Sequence, residues 1–244
     1  MDIRLKRYKK EFDHSFSFGV YPTLELLQHQ PKETLGVIIH PQGLENRGVA
    51  KIKEICQNQG IPFEVQEKAF SRIGARENDY AAGIFRKTQK HLDKAANHVI
   101  LVHPAGTGNL GTIIRTMLGF GFQDLAIIEP GADLFHPETV RASMGALFQL
   151  RAARFLTFDD YRKRFSRKIY TLMTDGSAPL SEAKFEPPFG LVFGNESAGL
   201  PEEYHAYGQS IRIPQTKAID SLNLAVSVGI TLYESNKRSM AGEY

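Results

Sequence analysis

The chain has 244 residues, 42% of them hydrophobic and 23% charged, a balance that excludes disordered and collagen-like classes. Lysine and arginine number 30 against 27 acids, a mild excess that permits a polyanionic partner without requiring one. No stretch approaches the roughly 18 apolar residues of a membrane span. The first ten residues, MDIRLKRYKK, lack the apolar segment of a secretory signal. The single Cys56 offers neither an internal disulfide nor a zinc cluster. The expectation is a cytoplasmic protein with no membrane association and no metal.

Leu35–Ile39 reads as a buried strand, and Leu44–Gln59 as a helix with Val49, Ile52, Ile55 and Cys56 on one stripe and Gly60 as its C-cap. Phe63–Val65 is a possible second strand. Residues 86–97 are polar and without strand character, so a domain boundary falls there: 1–95 as one domain and 96–244 as another. The alternation then restarts. His98–Val102, Leu125–Ile128, Ile169–Met173, Gly190–Phe193 and Ile211–Ile213 read as strands. Asn109–Phe120, Pro137–Phe148, 157–166 (with a Thr157/Asp160 capping box) and Ser221–Glu234 read as helices. Alternating strands and helices predict an α/β fold with a mainly parallel sheet, whose ligands sit beyond the C-terminal ends of strands. The residues after Val102, Phe193 and Ile213 are therefore the first candidates for a site.

Two basic runs stand out. Residues 1–10 hold Arg4, Lys6, Arg7, Lys9 and Lys10, and residues 161–168 hold Arg162, Lys163, Arg164, Arg167 and Lys168. Each is either a solvated face or a surface for phosphates. Tyr8, Phe16, Phe18 and Tyr21 lie among or just after the first run, either as core of the first domain or as platforms for unpaired bases.

Gly106-Thr107-Gly108-Asn109-Leu110-Gly111 matches G-x-G-x-x-G after a strand, and Glu129 stands where a ribose-binding acid would belong. That leaves a nicotinamide-type dinucleotide enzyme open. Against it, His103-Pro104-Ala105 separate the strand from the first glycine, whereas a dinucleotide turn comes directly off the strand. Three segments carry a different chemistry. Asn109, Gly111 and Arg115 form N-x-G-x-x-x-R, with Gly111 and Arg115 one helical turn apart and open space expected beside the arginine. Leu191-Val192-Phe193-Gly194-Asn195-Glu196 runs an apolar strand into a glycine and a carboxylate, closed by Gly199. Asp220-Ser221-Leu222-Asn223 opens the last helix, with Ser221 as a possible N-cap.

In this order the three segments resemble the motifs of the SpoU/TrmH family of RNA 2′-O-ribose methyltransferases, within the SPOUT superfamily, over about residues 98–236. Residues 15–85 resemble the small α/β RNA-binding domain that many members carry in front. The resemblance implies a parallel sheet whose C-terminal segment threads a trefoil knot, S-adenosyl-L-methionine held by backbone around Gly194, Ile213 and Leu222, and a homodimer joined through the first and last motif helices. It implies catalytic roles for Asn109, Arg115, Glu196, Ser221 and Asn223, with ribosomal RNA favoured over transfer RNA. A guanidinium with a pKa above about 12 suits a charge that stabilises a developing alkoxide better than it suits a base. The sequence departs from the family in a longer loop over His103–Asn109, in Ser197-Ala198, and in Lys217, where a glycine is usual. Those departures leave open a catalytically inactive RNA-binding protein of the same fold.

Overall fold

The computed structural model describes residues 5–240, which divide into two compact units. In chain order the elements are β1 (His14–Phe18), α1 (Val20–His29), β2 (Thr34–Ile39), α2 (Arg47–Gln59), β3 (Phe63–Val65), α3 (Glu67–Ile73), β4 (Ala81–Arg86), β5 (His98–Val102), α4 (Thr107–Gly119), β6 (Asp124–Ile128), α5 (Pro137–Ala142), β7 (Arg151–Phe155), α6 (Phe158–Arg164), β8 (Lys168–Leu172), β9 (Ala178–Pro179), β10 (Phe189–Phe193), β11 (Gln209–Arg212) and α7 (Leu224–Met240).

The first unit comprises the residues up to Thr88 and, from later in the chain, Asp133–Gln149. Its sheet has the order β1-β4-β2-β3, with β4 antiparallel to both neighbours and β3 parallel to β2. Strand β1 does not announce itself in sequence because its alternation of Phe and Ser is buried on both sides. Phe16 and Phe18 stack in the core with Ile38, Phe70 and Ile84. Ser17 is equally buried, its hydroxyl 3.1 Å from that of Thr23 and accepting from the Gly83 N–H at 3.2 Å. Phe16 and Phe18 are thus core residues and cannot stack on bases. Tyr8 donates to Asp133 and carries the Lys87 ammonium over its ring, while Tyr21 is exposed. Arg4 lies outside the described residues.

Asp133–Gln149 is tied into this unit by polar bonds. Arg141 donates to the buried Asp79 carboxylate at 2.7 Å, which also accepts from the Arg76 N–H at 2.7 Å. Gln30 donates to the Phe148 carbonyl at 2.9 Å. The helix expected over Pro137–Phe148 ends at Ala142, because Met144 (φ 52°) and Gly145 (φ 81°) turn left-handed. A Cβ on Gly145 would lie 2.6 Å from the Glu25 side chain, so the turn is also pressed against α1.

The second unit holds a seven-stranded sheet among the described residues, in the order β7-β6-β5-β10-β8-β11-β9, every pairing parallel. The central strands β5, β6 and β10 are buried along their whole length and mostly apolar, as both faces of a parallel sheet are covered. On α4, Leu110, Ile113, Ile114 and Met117 are buried, each worth roughly 1.5–3 kcal/mol of transfer from water. Helix α7 begins later than expected, at Leu224, because Asn223 and not Ser221 is its N-cap, accepting from the Ala225 N–H at 2.9 Å. In the basic run 161–168, Arg162 and Lys163 pair with Asp159 and Asp160 one turn back, Lys168 pairs with Glu186, and Arg167 donates to the carbonyls of Ala96 and Lys94. Much of that charge is therefore neutralised within the chain. No helix among the described residues is long and apolar enough to cross a membrane.

His98, at the buried start of β5, donates from Nε2 to the Asp93 carbonyl at 2.8 Å and accepts at Nδ1 from the Tyr161 hydroxyl at 2.9 Å. Burial pushes its pKa down to about 4, outweighing the stabilising carbonyl. The unfolded chain takes up a proton near pH 6.5, which the folded chain refuses until about pH 4. Stability is expected to fall as pH drops through that window, by up to about 1.4 kcal/mol per pH unit from this group. Urea unfolding of the wild type and of His98→Gln between pH 7 and pH 4.5 checks it, the variant losing that part of the slope.

Candidate active site

Strands β5 and β10 are parallel neighbours at the point where the strand order reverses, so the loops that follow them leave the same sheet edge side by side. The β10 loop folds tightly. Asn195 and Gly199 exchange backbone hydrogen bonds at 3.1 and 3.0 Å, and the Asn195 side chain accepts from the Ser197 and Ala198 N–H groups at 2.9 and 3.1 Å. Gly199 has φ 68°, and a Cβ on Gly194 would lie 2.1 Å from the Gly199 carbonyl carbon. Both glycines are thus required by the turn itself. The Asn195 amide also donates to the His103 carbonyl at 2.8 Å, joining the two loops.

The turn delivers Glu196 to the N-terminus of α4. Its carboxylate accepts from the Ala105 and Gly106 N–H groups, both at 2.9 Å, and from the Asn109 amide at 3.3 Å. Burial pushes this carboxyl up, but the N–H donors of Ala105 and Gly106, its own backbone and Asn109 outweigh it and hold the group below the usual range. The positive end of the helix dipole has the same sense. Asn109 in turn accepts from the Asn223 amide at 3.2 Å. Residues from three distant segments, Asn109, Glu196 and Asn223, thereby form one chain of hydrogen bonds.

Beside this chain lies a hollow of about 280 Å³. The backbone loops at Gly194–Gly199 and at Ile213–Leu222 wall it, with Leu172, Met173 and Thr174 at the end of β8. Of the expected residues, Gly194, Ile213, Leu222, Glu196 and Ser221 line it. Asn109 and Asn223 stand behind Glu196. Arg115 does not line it: it is exposed, with no hydrogen bond or ion pair among the described residues. Gly111, expected to leave space beside Arg115, is buried. The β8 end and Asp220 were not anticipated, although the rule that ligands sit at strand C-termini applies to β8 as well. Glu196 and Asp220 are the charged residues of the lining, which also includes apolar Leu172, Phe193, Ile213 and Leu224. Such a wall suits a flat, partly apolar ligand that carries positive charge, as an adenosyl sulfonium does.

The dinucleotide reading fails on two contacts. The α4 N-terminus that would receive a pyrophosphate is filled by Glu196. Glu129, the would-be ribose acid, pairs with Arg154 and accepts from the Gly131 N–H at 2.9 Å.

An all-parallel α/β unit with a nucleoside-sized hollow at its strand C-termini defines the class. The sequence model of the SpoU rRNA Methylase family matches residues 96–233, and the chain belongs to that family. It is 25% identical to a 23S rRNA (guanosine(2553)-2′-O)-methyltransferase of Bacillus subtilis, over 79% of this chain and 83% of that one. It is 30% identical to a 23S rRNA (uridine(2479)-2′-O)-methyltransferase of Streptomyces viridochromogenes over 59% of this chain, which matches only about half (53%) of that relative's length. A tRNA (cytidine(34)-2′-O)-methyltransferase of Beijerinckia indica is 34% identical over 55% of this chain and 87% of its own. The AdoMet-bound rRNA methyltransferase structure from Sinorhizobium meliloti superimposes with a TM-score of 0.78 at 29% identity, covering 93% of this chain and 88% of that one.

Because the Gly194 Cβ would collide with backbone that the turn cannot move, Gly194→Ala is expected to cost roughly 1–3 kcal/mol. A lowered denaturation midpoint, with the fold otherwise retained by circular dichroism, is the outcome to measure.

Proposed function

We propose that this protein transfers a methyl group from S-adenosyl-L-methionine to a ribose 2′-hydroxyl in structured RNA. The observation that carries this reading is the meeting of Asn109, Glu196 and Asn223 beside a hollow lined by Gly194, Ile213, Ser221 and Leu222. The cofactor supplies an electrophilic methyl on a sulfonium. The protein's task is to align the ribose oxygen in line with it and to stabilise the charge that grows as the hydroxyl loses its proton.

In this reading Gly194, Ile213 and Leu222 hold the cofactor through backbone, and Ser221 supports the wall. Glu196 fixes the α4 N-terminus and, with Asn223, sets the amide of Asn109 toward the ribose or its phosphate. Arg115 remains cationic and faces the developing alkoxide; no partner among the described residues quenches its charge. Since Arg115 does not line the hollow of its own chain, the reading includes a homodimer. Helix α4 exposes Thr112, Arg115 and Gly119, and α7 exposes Val226, Ile230 and Tyr233 at the i, i+4, i+7 spacing of a packing stripe. The two helices touch at Thr116 and Gly229, so these exposed residues are available to a second copy.

Ribosomal RNA is the favoured substrate. The Bacillus rRNA relative aligns over most of both chains, whereas the tRNA relative uses nearly its whole length to match little more than half of this one. The first unit, residues 1–95 in the sequence reading and supplemented by Asp133–Gln149, is then the part that selects the RNA.

Incubation with methyl-labelled S-adenosyl-L-methionine and total RNA, followed by digestion to nucleosides, tests the reading. Label in 2′-O-methylribose is expected. Label on a base, or no transfer despite RNA binding, would overturn it, the latter in favour of an inactive RNA-binding protein. Arg115→Ala is expected to lower turnover at least about a hundredfold, on the scale of a lost oxyanion donor, while leaving cofactor affinity within about twofold by calorimetry.

A further inference from the structure

The hollow contains one charge that the hydrogen-bond chain does not use. Glu196 is committed to Ala105, Gly106 and Asn109. Asp220 also lines the hollow, and its carboxylate makes no hydrogen bond or ion pair among the described residues. Its backbone is nevertheless held, because the Gln215 amide donates to the Asp220 carbonyl at 3.1 Å and closes the loop on itself. No Lys, Arg or His stands in the lining to neutralise it. Asp220 is an exposed residue of a hollow whose lining holds no cation, so a positively charged ligand bound there meets a carboxylate that nothing in the lining offsets.

We propose that Asp220 reads the positive charge of the bound cofactor and so determines which adenosyl compounds this hollow accepts. The inference rests on the S-adenosyl-L-methionine reading above. It assigns Asp220 a specificity role in binding, not a step in methyl transfer. The cofactor carries two cationic centres, the sulfonium and the α-ammonium. The reaction product S-adenosyl-L-homocysteine keeps only the ammonium, and 5′-methylthioadenosine keeps neither. A carboxylate that reads charge therefore ranks the three compounds, whereas one that merely shapes the loop treats them alike.

Calorimetry on the full chain with each of the three compounds decides the matter. For Asp220→Asn, affinity for S-adenosyl-L-methionine is expected to fall about fivefold, the size of one solvent-screened charge pair, with 5′-methylthioadenosine unchanged. Asp220→Glu is expected to recover most of the loss. The homocysteine arm identifies the centre: an unchanged affinity assigns the sulfonium, and a parallel fall assigns the ammonium, either supporting the proposal. Equal weakening of 5′-methylthioadenosine, or no change for S-adenosyl-L-methionine, overturns it. Failure of the wild type to bind S-adenosyl-L-methionine at all would instead remove the reading on which it rests.

Discussion

The Glu196 carboxylate on the backbone of Ala105 and Gly106 is the contact on which the second unit's organisation depends. A helix N-terminus leaves N–H groups without partners, and those at a parallel sheet's C-terminal edge normally wait for an anion from outside. Here the anion belongs to the chain. It lies about ninety residues away in sequence, yet only one strand away in space, because β10 pairs with β5. Once Glu196 is seated, Asn109 is oriented by it, and Asn223 by Asn109. One carboxylate thereby couples the start of α4, the β10 turn and the start of α7.

Elements set by local pattern are legible in the sequence, and elements set by distant contacts are not. Strands β5, β6 and β10 are uninterrupted apolar runs, and buried parallel strands have no other appearance. The end of α2 was visible in Gly60, which adopts φ 68° as its C-cap. Strand β1 was not visible, since burying Ser17 depends on Thr23 and Gly83, which only the folded unit brings near. The break after Ala142 is equally hidden: Met144 is an unusual residue for a left-handed turn, and it is the neighbouring Gly145 that lies against α1.

The site divides along the same line. Gly194, Glu196, Ser221 and Asn223 are legible because a turn off an apolar strand and a polar start to a helix are local signals. Their connections are not local. Nothing in the sequence pairs Glu196 with backbone rather than with Arg115, and only the general rule for strand C-termini, with no motif, points to the β8 end, Leu172–Thr174, as part of the hollow. Gly111 and Arg115 stand one helical turn apart on α4, as their spacing predicts. That spacing does not say that Gly111 faces the core, because a 40° offset on the helix separates buried from exposed.

The seating of Glu196 also settles where a ligand can go. In a dinucleotide fold the glycine turn leaves the helix N-terminus free, and the pyrophosphate is drawn to it by unpaired N–H groups and the helix dipole. A carboxylate already there removes both attractions and adds a repulsive charge. The edge of this sheet consequently repels an anion at α4 and presents its space one strand over, between the β10 turn and the segment after β11. Two carboxylates and no base line that space. The same G-x-G-x-x-G letters therefore lead to opposite ligand charge, and the residue that reverses it lies far outside the motif.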